Sequence, residues 1–447
     1  MVIAIILASI YVRNLSGADC YIFFISFYII IDLGFGQSDR RLALFCSHAI
    51  VKIRHENLHL LNRDPNNEIT SPEDEHDVLW VDTTDNNSSY AFVRLSGAHV
   101  RRIRSARWFR GSSVMTDNLQ SWLESSKELQ TSSSQIQAIR GRQSAVVPSF
   151  SLDKYHPLSQ VNRYLSQINN IGGVSVFDIG VSHEGRPVKA VQIRNNPTSS
   201  DYIFIDGCTH AREWITVATI LYIIDTIIGN NVKHNFLIVP IINVDGYDYT
   251  WNTDRLWRKN RRPYTASAFG ATEMPDRCNG VDLNRNYDVN FGGEGGSANP
   301  CSFLFEGPSP FSEPEVKAVS ELLWKFSTRI KLAISLHSFN QLWACPYAYT
   351  KSSSMDYSHH MDVLRDIQQA VYQTNGVKYQ IGPLGQSLYV GSGFMMDWMY
   401  TKLGVTNSYL CELRDKGVYG FLLPADQILP TARETWNGIA AAIRKIF

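Results

Sequence analysis

The chain has 447 residues, of which 44% are hydrophobic and 19% are charged, and its 42 lysines and arginines balance its 42 aspartates and glutamates. This composition is typical of a globular protein and excludes a disordered chain. The zero net charge gives the whole chain no attraction to nucleic acid or to an anionic membrane. The length allows two domains with connecting segments.

The first 36 residues contain two apolar runs, at 2–12 and 20–31, which polar residues separate. Each run is too short to cross a bilayer and has the length of a signal-peptide core. A positively charged start is missing. We therefore interpret residues 1–36 as a signal-like segment or an incorrect gene start, exclude them from the fold, and expect no membrane partner.

Residues 47–125 are predicted to form a small separate unit. Strand-like runs occur at 49–53, 78–81 and 90–95, and a helix-like run follows at 118–126. Strands followed by a helix predict a small α+β domain.

The run RRIRSARWFR at 101–110 is basic and aromatic. Such a run is compatible with nucleic-acid binding, but a solvated or inhibitory surface is the favoured interpretation. No nucleic-acid-binding fold is recognisable around it, so we expect the surface and predict no nucleic-acid partner.

Residues 126–149 are rich in serine and glutamine and lack an apolar period, which is typical of an exposed connector. Arg140 and Arg142 belong to this connector and lie between two predicted folded units. We expect a trypsin-like protease to cleave after one of these arginines.

Strand-like and helix-like patterns alternate from residue 150 to residue 447. This alternation predicts an α/β domain with a mixed, largely parallel central sheet and helices on both faces. The predicted strands are 174–179, 188–193, 202–205, 237–243 and 331–336, and the predicted helices are 215–228, 313–326, 361–374 and 431–445.

The segment DGCTHAREWI at 206–215 contains the first candidate metal ligands. It joins a predicted strand to a predicted helix, so His210 and Glu213 are expected on the turn where open α/β sheets place their chemistry. A third candidate, His337, directly follows the strand at 331–336. Two imidazoles and one carboxylate suit Zn²⁺ and leave its fourth position for water.

Each candidate ligand also has an ordinary structural interpretation. A His-x-x-Glu pair arises by chance in a chain with 12 histidines, and His337 taken alone could simply end its strand. The metal hypothesis therefore depends on the motifs that accompany these residues.

Five motifs follow one another in the order found in one enzyme family. They are HAREWI at 210–215, RLWRKNR at 255–261, GVDLNRNYD at 280–288, SLHS at 335–338 and ELRDKGVYGFLLPA at 412–425. Over roughly residues 143–447 the chain strongly resembles the zinc metallocarboxypeptidases of the digestive A/B type, which are made as zymogens. The resemblance implies one Zn²⁺ per chain, a carboxypeptidase-like α/β fold, and peptide or protein substrates with a free C-terminus.

The resemblance also implies an arrangement of domains. Residues 47–125 would be an open-sandwich activation domain, residues 126–149 the connector with the activation site, and residues 150–447 the catalytic domain. The chain departs from the family at 229–234, because relatives have a longer connection between the helix at 215–228 and the next strand.

Roles for individual residues follow from the same resemblance. His210, Glu213 and His337 hold zinc, Glu412 is the general base, and Arg258 stabilises the oxyanion. The alternative for Glu412 is an ordinary ion pair with Arg414. The implied substrate-binding residues are Arg212, Asn284, Arg285 and Tyr389.

Three positions correspond to the pocket for the C-terminal side chain. Met396 falls on the position that decides specificity, and Leu384 and Leu410 align with its lining. Because burying an unpaired lysine among these side chains is unfavourable, we expect uncharged apolar C-terminal residues to be released. The bulk of Leu410 favours aliphatic or medium side chains over tryptophan. The segment GSGFM at 391–395 departs from the family's small residues, so pocket size is defined less closely than pocket polarity.

The seven cysteines are an odd number and too sparse for a disulfide scaffold. The resemblance pairs Cys278 with Cys301 and thereby implies an oxidising compartment and secretion. We expect Cys208 and Cys411 to be buried structural residues.

Solvated positions are expected for two other sets of residues. The first set contains the charged neighbours of Arg258, which are Arg255, Lys259 and Arg261, and the second is the pair His359 and His360.

Two other interpretations compete with a secreted zymogen. A binding protein that lost catalysis would have no physical reason to keep Glu412 together with the three ligands, and all four are present. The regulatory branch of the carboxypeptidases is disfavoured by the upstream segment at 47–125 and by the pair Cys278 and Cys301.

Overall fold

The structure is a computed structural model that describes residues 48–54, 76–85, 88–96, 113–116 and 143–447, the last range without 231 and 265–275. The chain divides into two compact units, Met1–Ile136 and Gln137–Phe447. Several predicted features lie outside the described residues: the segment 1–36, the basic run at 101–110, the helix at 118–126, and the two arginines Arg140 and Arg142.

The described part of the first unit is a four-stranded antiparallel sheet with the strand order β2-β3-β1-β4. The predicted strands at 49–53, 78–81 and 90–95 lie within its first three strands, and the fourth strand was not predicted. The strands are β1 (His48–Arg54), β2 (His76–Asp85), β3 (Ser88–Ser96) and β4 (Ser113–Thr116).

The second unit contains an eight-stranded mixed sheet, which confirms the predicted fold class. The strands are β5 (Val174–Val181), β6 (Pro187–Arg194), β7 (Tyr202–Gly207), β8 (Asn235–Val239), β9 (Ile330–His337), β10 (Leu342–Cys345), β11 (Gln380–Pro383) and β12 (Ser408–Glu412). Their order in the sheet is β11-β10-β12-β9-β7-β8-β6-β5. The central strands β12, β9, β7 and β8 run parallel to one another.

Eight α-helices accompany the sheet in the described residues of this unit. They are α1 (Leu158–Ile168), α2 (Trp214–Gly229), α3 (Val244–Asn252), α4 (Pro314–Phe326), α5 (Tyr357–Asn375), α6 (Leu384–Ser387), α7 (Met395–Leu403) and α8 (Ile428–Ile446). Every residue of β7 and β8 is buried. Because side chains alternate between the two faces of a strand, both faces of the central sheet are covered. No helix of the described residues is long and apolar enough to span a membrane.

Helix α2 is apolar on all sides, and its residues from Trp214 to Ile227 are buried. Such a helix cannot lie on a protein surface and is held within the core. It follows β7 and therefore fixes the strand-to-helix turn that carries His210 and Glu213.

The predicted strand at 237–243 was too long at its C-terminal end. Strand β8 ends at Val239, and Asn243 instead caps helix α3 by accepting a hydrogen bond from the Gly246 amide. An asparagine at this position satisfies a free amide of the first turn, which a strand position would not do.

The predicted solvated position of His360 was wrong. Helix α5 exposes His359 but buries His360 against the rings of Tyr400 and Tyr409. Neighbouring residues on a helix point about 100° apart, so one histidine faces water and the next faces the core. Burial lowers the pKa of His360 to about 4 and keeps the ring neutral.

Candidate metal centre and active site

The carboxyl ends of β7, β9 and β12 meet at one edge of the sheet. Gly207 at the end of β7 pairs with Leu336 in β9, and His337 pairs with Glu412 at the end of β12. Parallel strands bring their carboxyl ends to the same edge, where α/β proteins bind ligands.

His210, Glu213 and His337 are buried at this edge, and their ligand atoms lie within 4.8 Å of one another. His210 Nδ1 is 2.7 Å from Glu213 Oε1 and 3.2 Å from His337 Nδ1. The second carboxylate oxygen, Glu213 Oε2, lies 3.2 Å from His337 Nδ1. Both imidazoles therefore present the same ring nitrogen to one carboxylate.

The opposite edge of each imidazole is held by a second residue. His210 Nε2 lies 3.2 Å from Asp282 Oδ1, and His337 Nε2 lies 3.1 Å from Ser335 Oγ. Burial opposes ionisation of Asp282, but Arg258 and Arg285 hold its pKa well below the ordinary range. Because the ionised carboxylate only accepts hydrogen bonds, His210 Nε2 carries the proton and Nδ1 keeps a free lone pair.

These three residues fit a zinc ion. Within the described residues, Glu213 Oε2 is a buried oxygen without a hydrogen-bond donor. The lone pair on His210 Nδ1 points into the same space, so neither group supplies a proton to the other. A cation is the partner that satisfies both, and two nitrogens with one carboxylate are the donor set of catalytic zinc.

Glu412 stands beside this centre and is not paired with Arg414. The Arg414 guanidinium instead donates to Glu434, with 2.8 Å between Nε and Oε1. One oxygen of Glu412 is buried, and no hydrogen-bond partner for it occurs among the residues that the structure describes. Burial of the carboxyl group and the charge of Glu213 raise the pKa of Glu412 to about 8, against the opposing effect of His337.

Arg258 is buried and donates to Asp282, with distances to Oδ2 of 3.1 Å from Nε and 2.8 Å from Nη2. Asp282 therefore holds the guanidinium with one oxygen and the imidazole of His210 with the other. A single carboxylate fixes the spacing between a candidate ligand and a candidate oxyanion donor.

The Arg285 side chain is fully buried. Its Nε donates to Gly295 O at 2.7 Å and its Nη1 to Asn284 O at 2.9 Å. Nη2 faces the hydroxyl of Tyr389 at 3.5 Å, and Tyr389 is 41% exposed. The outer side of the guanidinium therefore points towards Tyr389, which is partly exposed to solvent.

Two further predicted substrate residues lie close by. The Asn284 side chain places Nδ2 3.4 Å from His337 Nε2 and accepts a hydrogen bond from the Met395 amide at 3.0 Å. Arg212 is buried with its guanidinium carbon 4.1 Å from the ring centre of Phe421.

Residues 161–438 match the family model described as zinc carboxypeptidase. The chain belongs to the zinc carboxypeptidase family. This carboxypeptidase is therefore a zinc-dependent metallopeptidase, as the sequence motifs predicted, and the group of His210, Glu213 and His337 is its candidate zinc site.

Two proteins of similar sequence are themselves carboxypeptidases. Carboxypeptidase B of Astacus astacus is 36% identical over 294 residues, which cover 64% of this carboxypeptidase and 94% of that protein. Carboxypeptidase A2 of Mus musculus is 37% identical over 311 residues, covering 67% and 72% of the two chains.

Solved structures show the same fold. The crystal structure of thrombin-activatable fibrinolysis inhibitor is 28% identical with a TM-score of 0.75 and covers 90% of this chain and 99% of that one. The carboxypeptidase A structure from Helicoverpa armigera is 26% identical with a TM-score of 0.72 and covers 90% and 98%.

Three residues of the RLWRKNR motif were wrongly predicted to be solvated. In this carboxypeptidase Arg255 and Lys259 are buried, and the Arg261 side chain is only 10% exposed. Arg255 donates to the carbonyls of Arg212 and Phe421, and Lys259 donates to Pro300 O. The motif lies in an irregular segment rather than a surface helix, so charged residues satisfy backbone carbonyls of neighbouring segments.

The residues that orient the two histidines, Asp282 and Ser335, were not predicted from the sequence. Asp282 lies inside the GVDLNRNYD motif, whose arginine and asparagine drew the prediction. Ser335 contacts His337 and donates to Asp206 Oδ1 at 2.9 Å. A signal existed in both strands, because Asp206 and Ser335 are polar residues in otherwise apolar buried runs.

A second group with metal-binding residue types is formed by His183, Glu313 and Glu315. Both glutamates already have partners, because Arg262 forms an ion pair with Glu313 and the Asn260 amide donates to Glu313 and to Glu315.

The described structure links Cys278 to Cys301 by a disulfide bond. Cys208 and Cys411 are buried thiols, as expected from the sequence. Burial raises the pKa of both thiols well above the ordinary value, which keeps them protonated and unreactive.

Proposed function

We propose that this carboxypeptidase is a secreted zymogen that removes uncharged apolar residues from the C-termini of peptides and proteins. The observation that carries the proposal is the convergence of two imidazoles and two carboxylates beside a buried, outward-facing guanidinium. The two imidazoles and one of the carboxylates suit a hydrolytic metal, and the guanidinium suits the terminal carboxylate of a substrate.

We assign His210, Glu213 and His337 as the zinc ligands. When bound there, zinc supplies Lewis acidity to the scissile carbonyl and to a water molecule. Asp282 and Ser335 orient the two imidazoles from behind, so the ligand nitrogens are directed before the metal binds.

Glu412 is the proposed general base. It accepts a proton from the attacking water and donates it to the leaving amine. Its carboxyl group is suited to both steps because it lies beside the ligands and, within the described residues, one of its oxygens has no hydrogen-bond partner. Arg258, held in place by Asp282, directs a fixed positive charge at the developing oxyanion.

Recognition of the free C-terminus is assigned to Arg285, Asn284 and Tyr389, with Arg212 as a further contact. Two hydrogen bonds to carbonyls orient the Arg285 fork and leave its outer N–H groups for a carboxylate. Tyr389 lies between this guanidinium and solvent, where it can close over a bound substrate.

The preference for uncharged residues follows from the surroundings of Met396. This side chain packs in one buried apolar cluster with Leu384 and Leu410. A lysine ammonium placed there would find no anionic partner among these three side chains, and burying an unpaired charge is unfavourable by several kcal/mol.

Two observations support a secreted zymogen. The division between the compact units falls between Ile136 and Gln137, within the predicted connector that carries Arg140 and Arg142. The disulfide between Cys278 and Cys301 is compatible with an oxidising compartment.

The proposal is tested on the secreted full-length protein with and without trypsin. We expect intact mass to show cleavage after Arg140 or Arg142, and release of apolar residues from blocked dipeptides to appear only after cleavage. A chelator should abolish this release, and zinc should restore it. Full activity of the uncleaved Arg140→Gln/Arg142→Gln variant would contradict the zymogen, and a preference for C-terminal lysine would contradict the specificity.

A further inference from the structure

The proposed specificity pocket is closed in this structure. Its apolar cluster consists of Leu342, Ala344, Ala348, Leu384, Phe394, Met396 and Leu410, and none of these residues is more than 3% exposed. An empty pocket open to a substrate side chain would leave its walls in contact with water. The side chain of one cluster member therefore fills the space that the other members surround.

Within this cluster, Phe394 contacts Arg285, which is the proposed binding residue for the terminal carboxylate. The centre of its ring lies 4.4 Å from the guanidinium carbon of Arg285, and the residue is 3% exposed. The Arg285 fork is proposed to hold the terminal carboxylate, so the side chain on the adjacent carbon of the substrate would enter the space beside that fork. The Phe394 ring lies beside this fork and belongs to the same buried apolar cluster as Leu384, Met396 and Leu410.

The backbone around Phe394 holds the ring in position. Gly393 has a φ of +71°, its amide donates to Val289 O at 2.9 Å, and a Cβ there would lie 2.1 Å from Arg285 O. Gly391 is required on the other side, because a Cβ at that residue would lie 2.6 Å from Cε2 of the Phe394 ring. The absence of a side chain at Gly393 allows the close approach to Arg285, and the absence of one at Gly391 leaves room for the Phe394 ring.

We propose that Phe394 fills the specificity pocket and limits the released C-terminal residue to side chains of about the size of alanine. This inference rests on the proposed function and narrows it from uncharged apolar residues to the smallest of them. A leucine or phenylalanine side chain must displace the ring from its apolar contacts, which penalises these substrates relative to alanine. Such steric discrimination in an apolar pocket reaches about ten- to two-hundredfold.

The test compares kcat/KM for blocked dipeptides that differ only in a C-terminal Ala, Leu or Phe. The zinc-loaded, trypsin-treated protein should prefer Ala over Phe by at least about tenfold. Phe394→Ala should raise kcat/KM for the Phe substrate at least about tenfold relative to kcat/KM for the Ala substrate. Phe177→Ala makes the same change on strand β5, away from the site, and should keep the wild-type ranking.

Phe394→Leu keeps most of the buried volume and protects the test against loss of folding. It should give a ranking between those of the wild type and Phe394→Ala. A wild-type preference for Leu or Phe, or a ratio that Phe394→Ala leaves unchanged, overturns the inference while zinc-dependent release of residues still stands.

Equilibrium binding separates the inference from the proposed function. The probes are 3-phenylpropanoate, which combines a carboxylate with a benzyl group, and propanoate, which lacks the ring. The ratio of the Kd for propanoate to the Kd for 3-phenylpropanoate should be at least about tenfold larger in Phe394→Ala than in the wild type. An unchanged ratio overturns the inference, whereas the expected change in the ratio without peptide hydrolysis overturns only the proposed function.

Discussion

The candidate zinc site and the closed apolar pocket lie at the same edge of the sheet but are specified in different ways. At the zinc site each side chain has a directed partner, as Asp282 has for His210. The residues of the pocket are apolar side chains that together fill one buried volume. Phe394 is one of them, and its side chain forms no hydrogen bond. Directed polar contacts fix residue identity, whereas apolar packing fixes only the total volume.

The largest expected effect comes from removing a zinc ligand. His337→Ala should lose bound zinc and lower kcat/KM by several orders of magnitude, because zinc supplies several kcal/mol of transition-state stabilisation. Zinc content by atomic absorption and turnover of a blocked dipeptide measure both. His359→Ala removes an exposed histidine and should change neither. A His337→Ala protein with full zinc and activity would move the metal elsewhere.

Glu412→Gln should separate metal binding from proton transfer. The substitution keeps the shape of the side chain and removes the proton acceptor, so zinc content should stay normal while kcat falls about 10²- to 10⁴-fold. Glu321→Gln at an exposed position of α4 is the matched control. Near-normal turnover in Glu412→Gln would exclude this residue as the base.

Asp282→Asn should weaken the metal site without removing a ligand. The amide can present a donor to His210 Nε2, which disfavours the tautomer with a free Nδ1, so zinc affinity should fall about 10- to 100-fold. Competition with a chromogenic chelator measures that affinity. Exposed Asp178→Asn is the control, and an unchanged zinc Kd in Asp282→Asn would mean that the backing carboxylate is dispensable.

The smallest expected effect concerns Asp397, whose buried carboxyl group holds the backbone beside the closed apolar pocket. Its carboxyl group accepts hydrogen bonds from the amides of Ala348 and Tyr349, and burial raises its pKa from 3.8 to about 7. A folded-state pKa above the unfolded one means that the folded protein binds the proton more tightly. This contribution to stability is therefore complete below about pH 4, decreases as the pH rises to about 7, and is absent above it.

Asp397→Asn removes this titration while an amide oxygen still accepts both hydrogen bonds. Melting temperatures between pH 4 and pH 8 should therefore fall less steeply with pH in the variant than in the wild type. Asp366→Asn, at a half-exposed position of α5, should keep the wild-type slope. Identical slopes for Asp397→Asn and the wild type would show that this carboxyl group does not titrate in that range.

The sequence predicted those features that depend on local pattern or on directed chemistry. The turn with His210 and Glu213 follows from an apolar strand before it and an apolar helix after it, and His337 follows from the end of β9. Strands β5, β6, β7, β8 and β9 were likewise predicted from apolar runs, although β8 was predicted too long.

Features that depend on distant packing were not predicted. Arg255 is charged and yet lies under Trp214, because carbonyls from two remote segments accept its hydrogen bonds. His360 resembles its neighbour His359 in sequence and differs from it only in the direction it takes on the helix. The contact of Phe394 with Arg285 likewise joins residues far apart in the chain.

The burial of Arg285 has a consequence for the kind of molecule that this enzyme attacks. A permanent cation with no exposed surface has Asp282 at 3.9 Å as its nearest counter-charge in the described structure. The main chain of an interior stretch of polypeptide carries no anion to offer it, and neither does the amidated end of a peptide. If Arg285 binds the terminal carboxylate as proposed, amidation alone should protect a peptide from hydrolysis, and small free carboxylates should compete with the substrate.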